Sequence, residues 1–232
     1  MTSVMVMGRE VAIPVQVRSA RSWFASFAVP TADAKRIVGP AGLEPARMPG
    51  GRSMLSLAFV RYIDGDLDPY HEVAVAFLVA DPTGGKGKGA YIHRLPVNQE
   101  FTCAAGREIW GFPKFVTPIE INEELRADRA ILTVDGRMAL TMTLRRGVPA
   151  PMRSTALDAF AFREGVLRRT RWELRGSGSR MRLGGARVEL GTGEIADELR
   201  SLGLPKRALM SGCIGDVQMT FQAAEIVTGG SV

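Results

Sequence analysis

Side chains that bind metal or form bridges are scarce in this 232-residue chain: there are two cysteines, Cys103 and Cys213, and two histidines, His71 and His93. Two cysteines cannot build a disulfide framework and read as buried free thiols. Two histidines argue against a histidine-rich metal site, and no metal or other cofactor is expected. His71-Glu72 opens like a zinc-protease motif, but Val75 stands where the second histidine is needed. No Gly-x-Ser-x-Gly elbow occurs. No segment approaches the ~20 unbroken apolar residues of a membrane helix, so no membrane partner is expected. Met1–Val17 shows no basic cluster followed by an apolar stretch, so no signal peptide is expected. With so few cysteines, this points to the cytoplasm.

Lysine is scarce too. Thirty basic residues against 24 acidic ones give a net charge of +6, yet lysine occurs only at positions 35, 86, 88, 114 and 206. The densest basic run, Arg163–Arg187, is interleaved with Glu164, Glu173 and several glycines, and has few aromatic residues within it. It reads as a solvated arginine-rich face, and no nucleic-acid partner is expected. Asp81–Gly89, Asp-Pro-Thr-Gly-Gly-Lys-Gly-Lys-Gly, has the glycines of a phosphate loop. No Gly-Lys in it is followed by Ser or Thr, and a strand pattern rather than a helix comes next. It reads as an exposed hairpin tip.

What is abundant is short β-rich patterning. Strands are expected at Val11–Val17, Trp23–Val29, Met54–Tyr62, Glu72–Val79, Ala90–Pro96 and Val116–Ile121. Further strands are expected at Arg129–Val134, Met138–Arg145, Leu167–Leu174, Arg187–Leu190 and Gln218–Val227. Asp135-Gly136 marks a hairpin. Helices are few: Thr31–Val38 with Thr31 as N-cap, a short one at Asn98–Ala105, and Glu194–Leu202, acidic at its start. Sparse helices that do not alternate with strands argue against a doubly wound parallel sheet. The fold class is therefore mostly β (α+β) with an antiparallel sheet. No long linker or repeat divides residues 1–232, so one domain is expected.

One lysine stands apart. Gly106-Arg107-Glu108-Ile109-Trp110-Gly111-Phe112-Pro113-Lys114-Phe115 sets Lys114 among apolar and aromatic neighbours. Such a lysine either snorkels, with its stem on apolar surface and its head in water, or is desolvated and kept partly neutral to attack a carbonyl.

The segment resembles the active-site stretch of acetoacetate decarboxylases: Gly-Arg-Glu, then apolar and aromatic residues, then Pro-Lys. Arg21-Ser22-Trp23-Phe24 resembles the family's arginine-bearing early strand, Tyr70-His71-Glu72 its Tyr-x-Glu, and Gly215–Val227 its last strand. The resemblance spans about Val15 to Val227 and is thin between Pro149 and Ser211. It implies a cone-like closed β-barrel with peripheral helices and a homo-oligomer. It also implies Lys114 as Schiff-base lysine, Glu72 as general acid/base or partner of Arg21, and Arg21 as holder of a substrate carboxylate. Two positions depart from the family pattern. Phe115 stands where characterised members have a second lysine, and ungapped counting puts Leu57 where they have a second glutamate.

At an ordinary pKa of about 10.4 only ~1 lysine in 2,500 is neutral at pH 7. Lowering that pKa by three to four units amounts to about 4–5 kcal/mol of differential solvation. The family resembled here is the usual illustration of a lysine depressed by desolvation or a neighbouring cation. With Phe115 in place of the second lysine, the expected cause is desolvation. Trp110, Phe112, Phe115, Leu57 and Tyr70 are the expected pocket residues. The expected function is a Schiff-base-forming lyase acting on a small or medium 2- or 3-oxo acid. The alternatives are an aldolase or dehydratase using the same iminium, and a non-catalytic binding protein on the same barrel.

Overall fold

The computed structural model describes residues 2–85, 87–152 and 154–227. Lys86, from the glycine-lysine stretch, lies outside them. In chain order the strands begin with β1 (Thr2–Val6), β2 (Arg9–Ile13), β3 (Val15–Pro30), β4 (Arg47–Met48), β5 (Arg52–Gly65), β6 (Tyr70–Ala80), β7 (Lys88–Arg94) and β8 (Ile119–Asn122). They continue with β9 (Ala127–Val134), β10 (Arg137–Arg145), β11 (Val148–Pro149), β12 (Thr155–Arg163), β13 (Val166–Ser177), β14 (Arg180–Leu183), β15 (Ala186–Leu190) and β16 (Met210–Ile226). The α-helices are α1 (Thr31–Val38), α2 (Glu100–Trp110) and α3 (Glu194–Ser201).

Neighbouring strands run in the order β16, β13, β12, β7, β6, β5, β3, and β3 pairs back onto β16, which closes a seven-stranded barrel. Closure leaves no free edge in this ring. The barrel is mixed rather than purely antiparallel, because β7 and β12 run parallel through Ala90–Ala159 and Tyr91–Phe160. A second sheet of β15, β10, β9 and β8 lies apart from the ring. Its β9–β10 hairpin turns at Asp135 and Gly136, both at positive φ, as the Asp-Gly pair requires.

The barrel sheet buries apolar residues on both faces. Along β6, Val73, Val75, Phe77 and Val79 join a core with Phe27, Leu55, Leu57 and Phe59 and with residues of the second sheet. The alternate residues Tyr70, Ala74 and Ala76 face a second core with Val15, Val17, Tyr62, Trp110 and Phe112. Period-two alternation thus divides each strand between two cores, and the site belongs to the second.

Most strand expectations hold; the differences have local causes. The helix expected at Asn98–Ala105 starts later and runs on to Trp110, because Gly106 sits inside it rather than ending it. Thr31 begins α1 but is not its cap: Pro30 holds the N-cap position, and the Thr31 hydroxyl instead accepts a hydrogen bond from Ser53. Val116 makes only an isolated bridge to Val97, and regular pairing starts at Ile119. Strand β12, with its Thr-Ala-Leu-Asp-Ala-Phe-Ala-Phe-Arg, was not anticipated; its alanines give a weak β signal.

Gly89 marks the parallel seam. A Cβ there would stand 2.4 Å from Phe160 Cε2 and 2.7 Å from the Asp158 carbonyl oxygen. Gly89→Ala is expected to destabilise the protein by about 1–3 kcal/mol through overpacking, read as a lower urea midpoint with an unchanged slope. A midpoint equal to wild type would show that the seam can yield.

Candidate active site

Glu72 lies on β6, opposite Val60 of β5 and bridged on its other side to Val97. Val97 is in turn bridged to Val116: its N–H donates to the Phe115 carbonyl (2.9 Å), and the Thr117 N–H donates to the Val97 carbonyl (2.8 Å). The segment after α2 is therefore laid beside the barrel with only the Val97 stretch between it and Glu72. That is what brings residue 114 to residue 72.

The glycine-arginine-glutamate stretch serves this placement. The Gln99 side chain caps α2 by accepting from the Thr102 N–H. At the other end Gly111, at φ 68°, closes the helix in the left-handed conformation. The chain turns back there, and Arg107 Nε donates to the Lys114 carbonyl at 2.7 Å. Gly106 supplies space: a Cβ on it would be 2.5 Å from Lys114 Cδ and 2.7 Å from Cε. The lysine stem lies directly against the helix backbone.

Lys114 Nζ is 2.8 Å from Glu72 Oε2, with side chains only 3% and 7% exposed. Nζ also donates to Thr102 Oγ1 at 3.2 Å and sits 5.0 Å from the centroid of the Tyr70 ring, within cation–π range. The Tyr62 hydroxyl donates to the other glutamate oxygen, Oε1, at 2.9 Å. Tyr62 and Tyr70 are directly opposed across β5 and β6 and stack with ring centroids 4.1 Å apart. The snorkelling alternative is excluded, since the Lys114 amine does not reach water.

Burial is the largest single influence on Lys114 and pulls its pKa down, but the charge and hydrogen bond of Glu72, with smaller influences from Tyr70 and Cys103, together turn the net direction up. The expected depression by desolvation is thus reversed: at rest this is an ammonium held by a carboxylate. Burial likewise lifts Tyr70 to about 12. Tyr62 is pushed well above its ordinary value by burial and by the neighbouring Glu72 charge. Both phenols stay protonated and can donate.

The cavity beside the pair is small, about 20 Å³, room for roughly one water. Trp110, Phe112 and Tyr70 line it as expected, together with Tyr62, Trp172 and Phe221. The last three were missed; Tyr62 alone had a usable signal, its register opposite Tyr70.

Arg21, Leu57 and Phe115 do not line it. Between Val17 and Ser19 β3 takes up one extra residue, and β5 a compensating one before Tyr62, so that Ala20 rather than Ser19 continues on the side of Val15 and Val17. Val15 and Val17 face the cavity, whereas Arg21 is turned to the side of Trp23. There it pairs with Glu123 at 2.5 Å, as Arg61 does at 2.6 Å. Leu57 is fully buried in the other core, opposite Ala25 and Val75. Phe115 follows Lys114 in an extended segment, so it points the other way and packs on that same core.

Two outcomes test the pair. With its pKa above the ordinary value of 10.5, the Lys114 ammonium stabilises the fold in full below that pH, and the contribution fades as pH rises through the raised value. Glu72→Gln removes the opposing charge and leaves burial unopposed. The Lys114 pKa should then fall below the ordinary lysine range, read by NMR titration of the labelled amine. Stability near neutral pH should drop by about 3–5 kcal/mol, and the gap from wild type should narrow as the solution is made alkaline. Gly106→Ala should displace the lysine stem and make the amine roughly 10–100-fold less reactive, measured with a small aldehyde and borohydride. An unchanged rate would mean the stem can shift without loss.

The match to the family model for acetoacetate decarboxylase (ADC) covers residues 6–229. No curated protein matches the chain. Among solved structures, an acetoacetate decarboxylase from Legionella pneumophila superposes with a TM-score of 0.71 at 17% identity, covering 94% of this chain and 88% of that one. Another structure of acetoacetate decarboxylase gives 0.70 at 16% identity, with coverages of 94% and 91%. The enduracididine biosynthesis enzyme MppR, complexed with pyruvate, gives 0.69 at 16% identity, with coverages of 95% and 93%. Identities this low speak for the fold alone; the family match runs nearly end to end, and the chain belongs to the acetoacetate decarboxylase family.

Proposed function

We propose that the protein is a Schiff-base-forming lyase acting on a small or medium oxo acid through Lys114. The observation that carries this reading is the buried Lys114–Glu72 pair, 2.8 Å apart at an aromatic cavity. A sealed amine beside a carboxylate can be neutralised without bulk water. The Lys114 ammonium passes a proton to Glu72, and the freed lone pair adds to the substrate carbonyl carbon. The resulting oxygen takes one proton from the added nitrogen and one back from Glu72 and leaves as water, and an iminium remains. Tyr62 holds Glu72 in place through its hydrogen bond.

In a 3-oxo acid the carboxylate is one carbon removed from the iminium carbon. The carbon–carboxylate bond can then break with its electron pair moving toward the iminium nitrogen, giving CO2 and an enamine. Protonation of the enamine carbon and hydrolysis release the ketone and the lysine. A 2-oxo acid lacks that geometry, and its enamine leads to aldol addition or dehydration. The fold neighbour MppR, complexed with the condensation product of pyruvate and imidazole 4-carboxaldehyde, favours keeping this second reaction beside the first. The cavity as it stands holds about one water, so substrate has to part its walls. The reading extends to a cytoplasmic homo-oligomer, whose assembly light scattering can measure.

Borohydride should fix a 3-oxo acid onto wild-type Lys114, with the adduct located by mass spectrometry, and Lys114→Ala should give none. Phe115→Lys should not strengthen trapping, because residue 115 faces the far core. No adduct with any 2- or 3-oxo acid between about pH 6 and 9 would leave a non-catalytic binding barrel as the reading.

A further inference from the structure

We infer that Trp172 is the substrate-orienting residue of this site, its indole N–H donating to a carboxylate oxygen of an oxo acid that carries a flat apolar body. The inference rests on the Schiff-base reading for the position of the carbonyl, but its own ground is separate. Among the described residues, three buried side-chain polar atoms lack a hydrogen-bond partner: Arg94 Nε, Asp128 Oδ1 and Trp172 Nε1. Of these three residues, only Trp172 lines the Lys114 cavity. A buried donor left unpaired is costly, and cavities that bind ligands are where such donors find partners.

Several other polar side chains at the cavity are occupied. Glu72 takes Lys114 and Tyr62, Asp68 takes Arg9, and the Gln16 side-chain oxygen takes the Thr220 hydroxyl. No arginine is among the described residues that line the cavity, and Arg21 is committed to Glu123 elsewhere. Among the described residues that line the cavity, the Trp172 N–H is the fully buried side-chain donor left without a partner, and a substrate carboxylate can meet it besides the charge of Lys114 itself.

The ring around that donor sets the body of the substrate. Trp172 stands edge-on to Phe112 and to Phe221, with centroids at 5.9 and 5.1 Å. Trp110 joins both, at 5.6 Å from Phe112 and 5.7 Å from Phe221. Four aromatic rings joined in a cycle of contacts favour a planar apolar group, which packs on their faces and edges.

Phenylpyruvate and phenylacetone test this, since they share the benzyl ketone and differ by a carboxylate against a methyl group. In Trp172→Phe the half-saturating phenylpyruvate concentration in borohydride trapping should rise about tenfold, as loss of a hydrogen bond to a charged group implies. Phenylacetone should weaken clearly less, since it loses only ring packing at that position. In wild-type protein the Trp172 indole N–H resonance should shift on adding phenylpyruvate and not on adding phenylacetone, a readout that needs no stable variant. Equal weakening for both ligands, or an unmoved indole signal with phenylpyruvate trapped normally, overturns the assignment and leaves Trp172 a packing residue. No trapping with a clear indole shift sinks the Schiff-base reading and keeps the recognition role; neither signal sinks both.

Discussion

Lys114 and Glu72 face each other across 2.8 Å where almost no water reaches, and neither could carry its charge there alone. Burying a single ion costs several kcal/mol even after the protein relaxes. The surroundings can be traced to meeting that demand. Val97 spaces the lysine segment from β6, Arg107 fixes the Lys114 carbonyl, and Gly106 leaves room for the stem. Tyr62 and Thr102 occupy positions on the glutamate and the amine that water would otherwise fill. The closed barrel supplies the rigid wall on which β5 and β6 hold Tyr62, Tyr70 and Glu72 in register.

The same pair settles a contest between two electrostatic effects. Apolar surroundings alone make a lysine a weaker base, and a carboxylate at contact makes it a stronger one. Here the carboxylate, joined by smaller influences from Tyr70 and Cys103, turns the balance upward. The resting site is thus an ion pair, and its chemistry turns on moving one proton over the short distance between the two groups. A substrate that fills the cavity and keeps water out would further weaken the charged form relative to the neutral one.

Much of this was legible in the chain, and the parts that were not share a physical cause. The Gly-Arg-Glu to Pro-Lys stretch has local meaning, because Gly106, Arg107 and Lys114 meet within a helix and the turn after it. Glu72 and Tyr70 were legible through the resemblance of Tyr70-His71-Glu72 to the family's Tyr-x-Glu, and the two lie two residues apart on β6, both at the cavity. Arg21 was misplaced because a register shift near Arg18 reverses the faces of β3, and nothing in Val-Gln-Val-Arg-Ser announces it. Leu57 failed by counting without gaps: the β5 residues that line the cavity are Tyr62 and Gly65. Trp172 lies on β13, far along the chain from Lys114, and only barrel closure brings it to the cavity. The parallel step between β7 and β12 was equally invisible, since pairing direction is a property of the path taken between strands.

The buried pair also governs how such a chain can drift. Loss of the lysine alone strands a carboxylate, and loss of the glutamate alone strands an ammonium. Each single step lowers stability by an amount comparable to a sizeable share of what a domain possesses. The two positions are therefore locked to one another independently of any selection for turnover. A descendant that had given up its reaction would tend to carry both residues onward, as a fossil of chemistry held in place by the energetics of folding.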